Sequence, residues 1–124
     1  MTGPRRSGRL LLVEDDPLNA DVIGRVLAVR GYRISRVRTA EEAIRAAAEG
    51  SFDLVLLDNV LPGMTGMQAI GELTRLTRAP IFVMTGHADD ELEKDALLLG
   101  ARGFMRKPLD FDALDERLQA LLLP

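Results

Sequence analysis

The chain has 124 residues, 47% hydrophobic and 28% charged, which suits one packed domain of ordinary size. It contains no cysteine, which excludes a disulfide framework, a thiolate metal site and a thiol nucleophile. A net charge of −3 argues against direct nucleic-acid binding, and no apolar run approaches the ~18 residues of a membrane span, so a soluble, cytoplasmic protein is expected.

Residues 1–8 read as a disordered tail, with Arg5 and Arg6 in it, and 9–124 as a single domain. RLLLVE (9–14) predicts a first strand. Asp16-Pro17 then caps a helix that runs to Arg30 and stops at Gly31. YRISRVR (32–38) alternates as an edge strand does, and its arginines, with Arg25, Arg30 and Arg45, read as a solvated face. Thr39 and Glu42 form a capping box for a helix that ends at Gly50. DLVLLD (53–58) is a third strand, and a third helix spans about Met67 to Leu76. PIFVMT (80–85) is the fourth strand, with a helix over 89–100 closing on Gly100. GFMRK (103–107) is the fifth, and a last helix begins at Asp110. The last two helices carry more leucine than one buried stripe needs, so they are buried all round or expose an interaction patch. Met64, Met67 and Met84 read as packing residues.

Strict alternation of strand and helix predicts parallel strands with right-handed crossovers, a doubly wound five-stranded α/β sandwich. Ligands of such sheets sit beyond the carboxyl ends of the strands. Those ends carry Glu14, Asp15 and Asp16 after strand one, Asp58 after strand three, Thr85 after strand four and Lys107 after strand five. Neighbouring carboxylates repel unless a cation lies between them, and an all-oxygen donor set suits Mg²⁺. With that charge offset, Asp58 is placed to attack phosphorus, while Lys107 and the Thr85 hydroxyl meet the phosphoryl oxygens. Asp16 is assigned only the helix cap.

The segments LLLVEDDPLN, DLVLLDNVLPGMTG, APIFVMTGH and GARGFMRKPLD together resemble the signature of two-component response-regulator receiver domains of the chemotaxis-regulator type, over residues 9–124. The resemblance implies a flavodoxin-like (βα)5 sheet in the order 2-1-3-4-5. It implies Asp58 as phosphoacceptor, Asp15 as a direct Mg²⁺ ligand with Glu14 acting through water, and the Val60 carbonyl as a further ligand. Thr85 and Lys107 would serve the phosphoryl group, and Phe104 falls on the switch aromatic, either mobile or permanent core. His87 is expected to be exposed and to tune hydrolysis rather than to carry phosphate. The donor would be a histidine kinase or phosphotransfer protein, with later loss of the phosphoryl group to water. The output would pass through helix four, strand five and helix five to a downstream protein or a homodimer partner. A phosphorylation-independent binding module is the alternative, but it predicts a missing Asp58, Lys107 or acidic pair. A small-molecule phosphatase would need a second acid where Val60 stands, and no Gly-rich loop follows strand one for a nucleotide.

Overall fold

Successive strand residues face opposite sides of a sheet, so a strand buried on both faces must be apolar throughout. Three strands meet that condition apart from one terminal residue each: β1 (Arg9–Val13), β3 (Leu54–Asp58) and β4 (Ile81–Thr85). In the computed structural model, which describes residues 7–86 and 90–122, they form the centre of a five-stranded parallel sheet ordered β2-β1-β3-β4-β5. β2 (Arg33–Val37) and β5 (Gly103–Arg106) are the edges. The helices are α1 (Pro17–Val29), α2 (Ala40–Glu49), α3 (Gly66–Leu76), α4 (Asp90–Leu99) and α5 (Phe111–Leu121). The expected fold class and strand order are therefore both observed.

The alternation divides the core into two layers. Leu11, Val13, Val55, Leu57, Ile81 and Val83 pack under α2, α3 and α4. Leu10, Leu12, Leu54, Leu56, Phe82 and Met84 pack under α1 and α5. Met64 and Met67 pack against the first layer. On the outer strand β2, Arg33 and Arg36 are exposed.

Local signals explain where the helices begin and end. Asp16 accepts from the Leu18 amide ahead of Pro17. Thr39 and Glu42 cap α2 reciprocally. A second capping box, Thr65 with Gln68, starts α3 one residue earlier than expected. At the ends of α1 and α4, Gly31 (φ 104°) and Gly100 (φ 119°) adopt the left-handed conformation that closes a helix with paired backbone bonds. Tyr32 N–H then donates to Leu27 O and Ala101 N–H to Ala96 O.

Several boundaries differ from the sequence reading. Gly8, assigned to the tail, is buried, and its carbonyl accepts from Arg33 N–H at 2.9 Å, so packing begins before Arg9. β1 stops at Val13 and β5 at Arg106, which leaves Glu14 and Lys107 just past the sheet with their side chains on its rim. α1 ends at Val29 with Arg30 as its cap. Of the two leucine-rich helices, α5 buries Leu114 and Leu118, whereas α4 buries only Ala96 and leaves Leu97, Leu98 and Leu99 exposed. Among the described residues no helix is long and apolar enough to cross a membrane.

Gly66 fixes the loop after β3. Its N–H donates to Asn59 O at 3.0 Å, and a Cβ there would lie 2.6 Å from Asn59 Cα and 2.8 Å from Asp58 O. The Asn59 Oδ1 atom is buried against the same spot without a hydrogen-bond partner among the described residues. Backbone cannot yield as a flexible side chain does. Gly66→Ala is therefore expected to lower stability by about 1–3 kcal/mol, seen as a reduced urea midpoint at unchanged slope.

Candidate functional site

Sheet register assembles the site. β1 and β3 are neighbours with Val13 opposite Leu57, so the residues that follow, Glu14 and Asp58, emerge side by side at the carboxyl rim. β3 and β4 pair Asp58 with Met84, which sets Thr85 one step beyond the acid. Lys107 arrives from the far side of β4. Its N–H donates to Thr85 O at 2.7 Å, and the Lys107–Pro108 bond that follows is cis.

From there the lysine ammonium spans both acids, donating to Glu14 Oε1 at 2.7 Å and to Asp58 Oδ2 at 3.0 Å. Asp58 Oδ1 accepts from Val60 N–H at 3.0 Å, and Glu14 Oε2 from Asp16 N–H at 3.2 Å. Glu14 and Asp58 are only 2% and 4% exposed, and Thr85 is fully buried. One ammonium thus serves two buried carboxyl groups.

The titration behaviour follows from burial together with that sharing. Burial first, and the hydrogen bond shared with Asp58 second, push the Glu14 carboxyl above its ordinary value, although Lys107 pulls it down. Burial also works to lower the Lys107 pKa, but the bonds to Glu14 and Asp58 outweigh it and hold the ammonium above its ordinary value. A simple ion pair would raise the base and lower the acid. Here both rise, because Glu14 is buried and, in addition, faces a second carboxyl as well as the amine.

Each expected site residue can now be placed. Glu14, Asp58, Lys107 and Thr85 come together. Val60 contributes its N–H to Asp58, an Asx-type turn that the sequence reading did not assign, while its side chain is 54% exposed. The direct Lys107–Glu14 contact was also not expected. Asp15 is half-buried and makes no hydrogen bond or ion pair among the described residues. Phe104 is 5% exposed, its ring in the layer under α4. His87 lies outside the described residues.

Among the described residues no three His, Asp or Glu side chains converge as a ready-made metal cluster. The donor set nonetheless fits a hard cation that keeps most of its waters and takes one or two carboxylates. Its acids are oxygen-only and adjacent, and Glu14 and Asp58 share one ammonium.

A profile of the response regulator receiver domain matches residues 10–119. The chain belongs to that family. The transcriptional activator protein PfeR of Pseudomonas aeruginosa is 34% identical over 116 residues, which cover 94% of this receiver domain's chain and 38% of PfeR. The transcriptional regulatory protein KdpE of Mycobacterium tuberculosis is 35% identical over 111 residues, 90% of this chain and 49% of KdpE. The receiver chain thus spans about half, or less, of the length of these curated relatives. Among solved structures, the receiver domain of a sensor histidine kinase from Pseudomonas aeruginosa has a magnesium ion coordinated in its active-site cleft. It superposes with a TM-score of 0.82 at 30% identity, covering 94% of this chain and 98% of that one. As a receiver domain, the protein is a phosphorylation-dependent signalling switch of a two-component system.

The charge imbalance has a measurable effect on stability. A carboxyl that holds its proton more tightly folded than unfolded favours the fold at low pH. That advantage is lost as pH rises from the ordinary value of 4.5 through the raised one. Asp58→Asn removes the competing acid and keeps an acceptor for Val60 N–H. In magnesium-free buffer the variant is expected to melt a few degrees higher than wild type at neutral pH, the effect of about 1 kcal/mol in a domain of this size. The gap should close toward pH 4, as followed by thermal unfolding across pH.

Proposed function

We propose that Asp58 is the phosphoacceptor and that Glu14, Asp15, Thr85 and Lys107 serve its phosphorylation and dephosphorylation. The observation that carries this reading is the single ammonium of Lys107 bridging Glu14 and Asp58 at the carboxyl rim.

Val60 N–H and Lys107 each hold one oxygen of the Asp58 carboxylate, so it is oriented before a donor arrives. In transfer, an Asp58 oxygen bonds to phosphorus as the bond from phosphorus to the donor imidazole breaks, and the leaving ring takes up a proton. Lys107 stays within reach of the charge that develops on the phosphoryl oxygens, and the Thr85 hydroxyl, one step beyond Asp58, can donate to another. Hydrolysis later returns Asp58 to its carboxylate. Asp15, Asp58 and the Val60 carbonyl would hold Mg²⁺, with Glu14 behind them through water. When bound, the ion supplies positive charge that the lone lysine cannot supply to three acids.

The donor is a histidine kinase or phosphotransfer protein. An apolar cleft of about 570 Å³ beside Lys107, walled by Leu18, Val22, Ile23, Leu109 and Phe111, offers its surface a seat next to the acceptor. Downstream, the leucines of α4 mark the α4–β5–α5 side as the face for an output protein or a second copy of the chain. The packed unit is the receiver domain from about residue 8 onward.

Incubation with Mg²⁺ and acetyl phosphate, followed by intact-mass measurement, tests the assignment. Wild type should gain one phosphoryl group and lose it again on standing, whereas Asp58→Asn and wild type with chelator should gain none. Equal labelling of wild type and Asp58→Asn would remove Asp58 from the reaction. Absence of labelling in both would favour a module that works without phosphorylation.

A further inference from the structure

Four strands deliver the polar side chains of the site to the carboxyl rim, and β2 brings a further one. It pairs with β1 so that Val37 lies opposite Val13, and Glu14 N–H donates to Val37 O at 3.1 Å. Arg38, the next residue, therefore leaves the sheet beside Glu14. Across the strand order the rim runs Arg38, Glu14, Asp58, Thr85, Lys107. A guanidinium closes the row at one end and an ammonium at the other.

The two cations are in opposite conditions. Lys107 is largely buried and already committed to Glu14 and Asp58. Arg38 is exposed, and its guanidinium makes no hydrogen bond or ion pair among the described residues. The Glu42 carboxylate of α2 accepts from the Arg38 and Thr39 amides at 2.8 and 3.1 Å, but forms no ion pair with that guanidinium. Arg36 stands two residues back on the same face of β2. It meets Asp21 at 3.7 Å, an acid that also holds Arg25 at 3.0 Å, so one carboxylate answers two guanidinium groups. With Glu14, Pro17, Ala20 and Val37, Arg36 and Arg38 wall a cleft of about 250 Å³ between α1 and β2. Positive charge is thus in excess there and open to solvent.

An anionic phosphodonor that approaches Asp58 enters the field of Glu14, Asp15 and Asp16 as well. Like charges beside the path slow an encounter, and opposite charge at the mouth of a site speeds it. We infer that Arg38, backed by Arg36, draws anionic phosphodonors to the β2 end of the rim. The inference rests on Asp58 as phosphoacceptor and adds a residue that governs capture of the donor rather than transfer. Glu14 stands between Arg38 and Asp58, so the guanidinium acts through space and not on the reacting atoms. Its effect falls on the second-order rate, grows with the charge of the donor and weakens as salt is added.

Rates of Asp58 labelling, followed by intact mass at saturating Mg²⁺, test this. In low salt Arg38→Glu is expected to lower the second-order rate with acetyl phosphate, a dianion at neutral pH, about tenfold, and Arg38→Gln about threefold. Phosphoramidate, largely a monoanion there, should lose less, and high salt should shrink both losses. Arg33→Glu makes the same charge change at the other end of β2 and should label as wild type does. Loss of the phosphoryl group to water involves no anionic donor, so its rate should be the same in all four proteins. Equal labelling of Arg38→Glu and Arg33→Glu, or equal losses with the two donors, would overturn the inference. So would a changed rate of loss to water in the Arg38 variants. No labelling of wild type would instead remove the phosphoacceptor reading, and this inference with it.

Discussion

Two buried carboxyl groups share one ammonium at the rim of this sheet, and most of what the domain does depends on that shortage of positive charge. Lys107 can satisfy Glu14 and Asp58 together only because the β1–β3 register sets them side by side and β5 brings the lysine in from two strands away. The arrangement is held by the fold rather than by its own attraction, since burial first and Asp58 second make Glu14 reluctant to ionise. A site in that condition responds to added charge. Under the proposed function a divalent cation would relieve it, and a phosphoryl group on Asp58 would change which oxygens the lysine has to serve.

Much of this was legible from the chain because the relevant signals are local or periodic. The apolar runs at Leu10–Val13, Leu54–Leu57 and Ile81–Met84 could only be strands covered on both sides, and the caps at Asp16, Thr39 and Asp110 fixed where helices start. Polar residues at the ends of four strands then had to share a rim. Less was legible where the outcome depended on long-range geometry. The bond between Lys107 and Glu14 joins residues 93 positions apart, and its existence depends on a side chain crossing β4. The Val60 amide was overlooked because backbone donors carry no residue signature, although an Asp followed by a Pro-Gly turn is a setting where they are common. Thr65 with Gln68 was a capping box in plain view, obscured by the glycine between them.

The leucine surplus in the last two helices shows the limit of pattern reading from the other side. Composition alone made the helices look equivalent, yet Asp115, Arg117 and Gln119 give α5 polar bonds to distant elements that no leucine count reveals. Apolar content measures how much surface a helix would like to hide. It does not measure how firmly the helix is held, and that depends on a few bonds to distant elements such as Tyr32 and Phe82.

The outer strand has a bearing on life in a crowded solution. β2 presents Arg33 and Arg36 along an unpaired border, and the opposite border, β5, is four residues long with a helix on each side. Like guanidinium groups meeting edge to edge would repel, and a border so short offers little to a visiting strand. Neighbouring molecules therefore have no inviting way to zip their sheets into ribbons, however abundant the protein becomes.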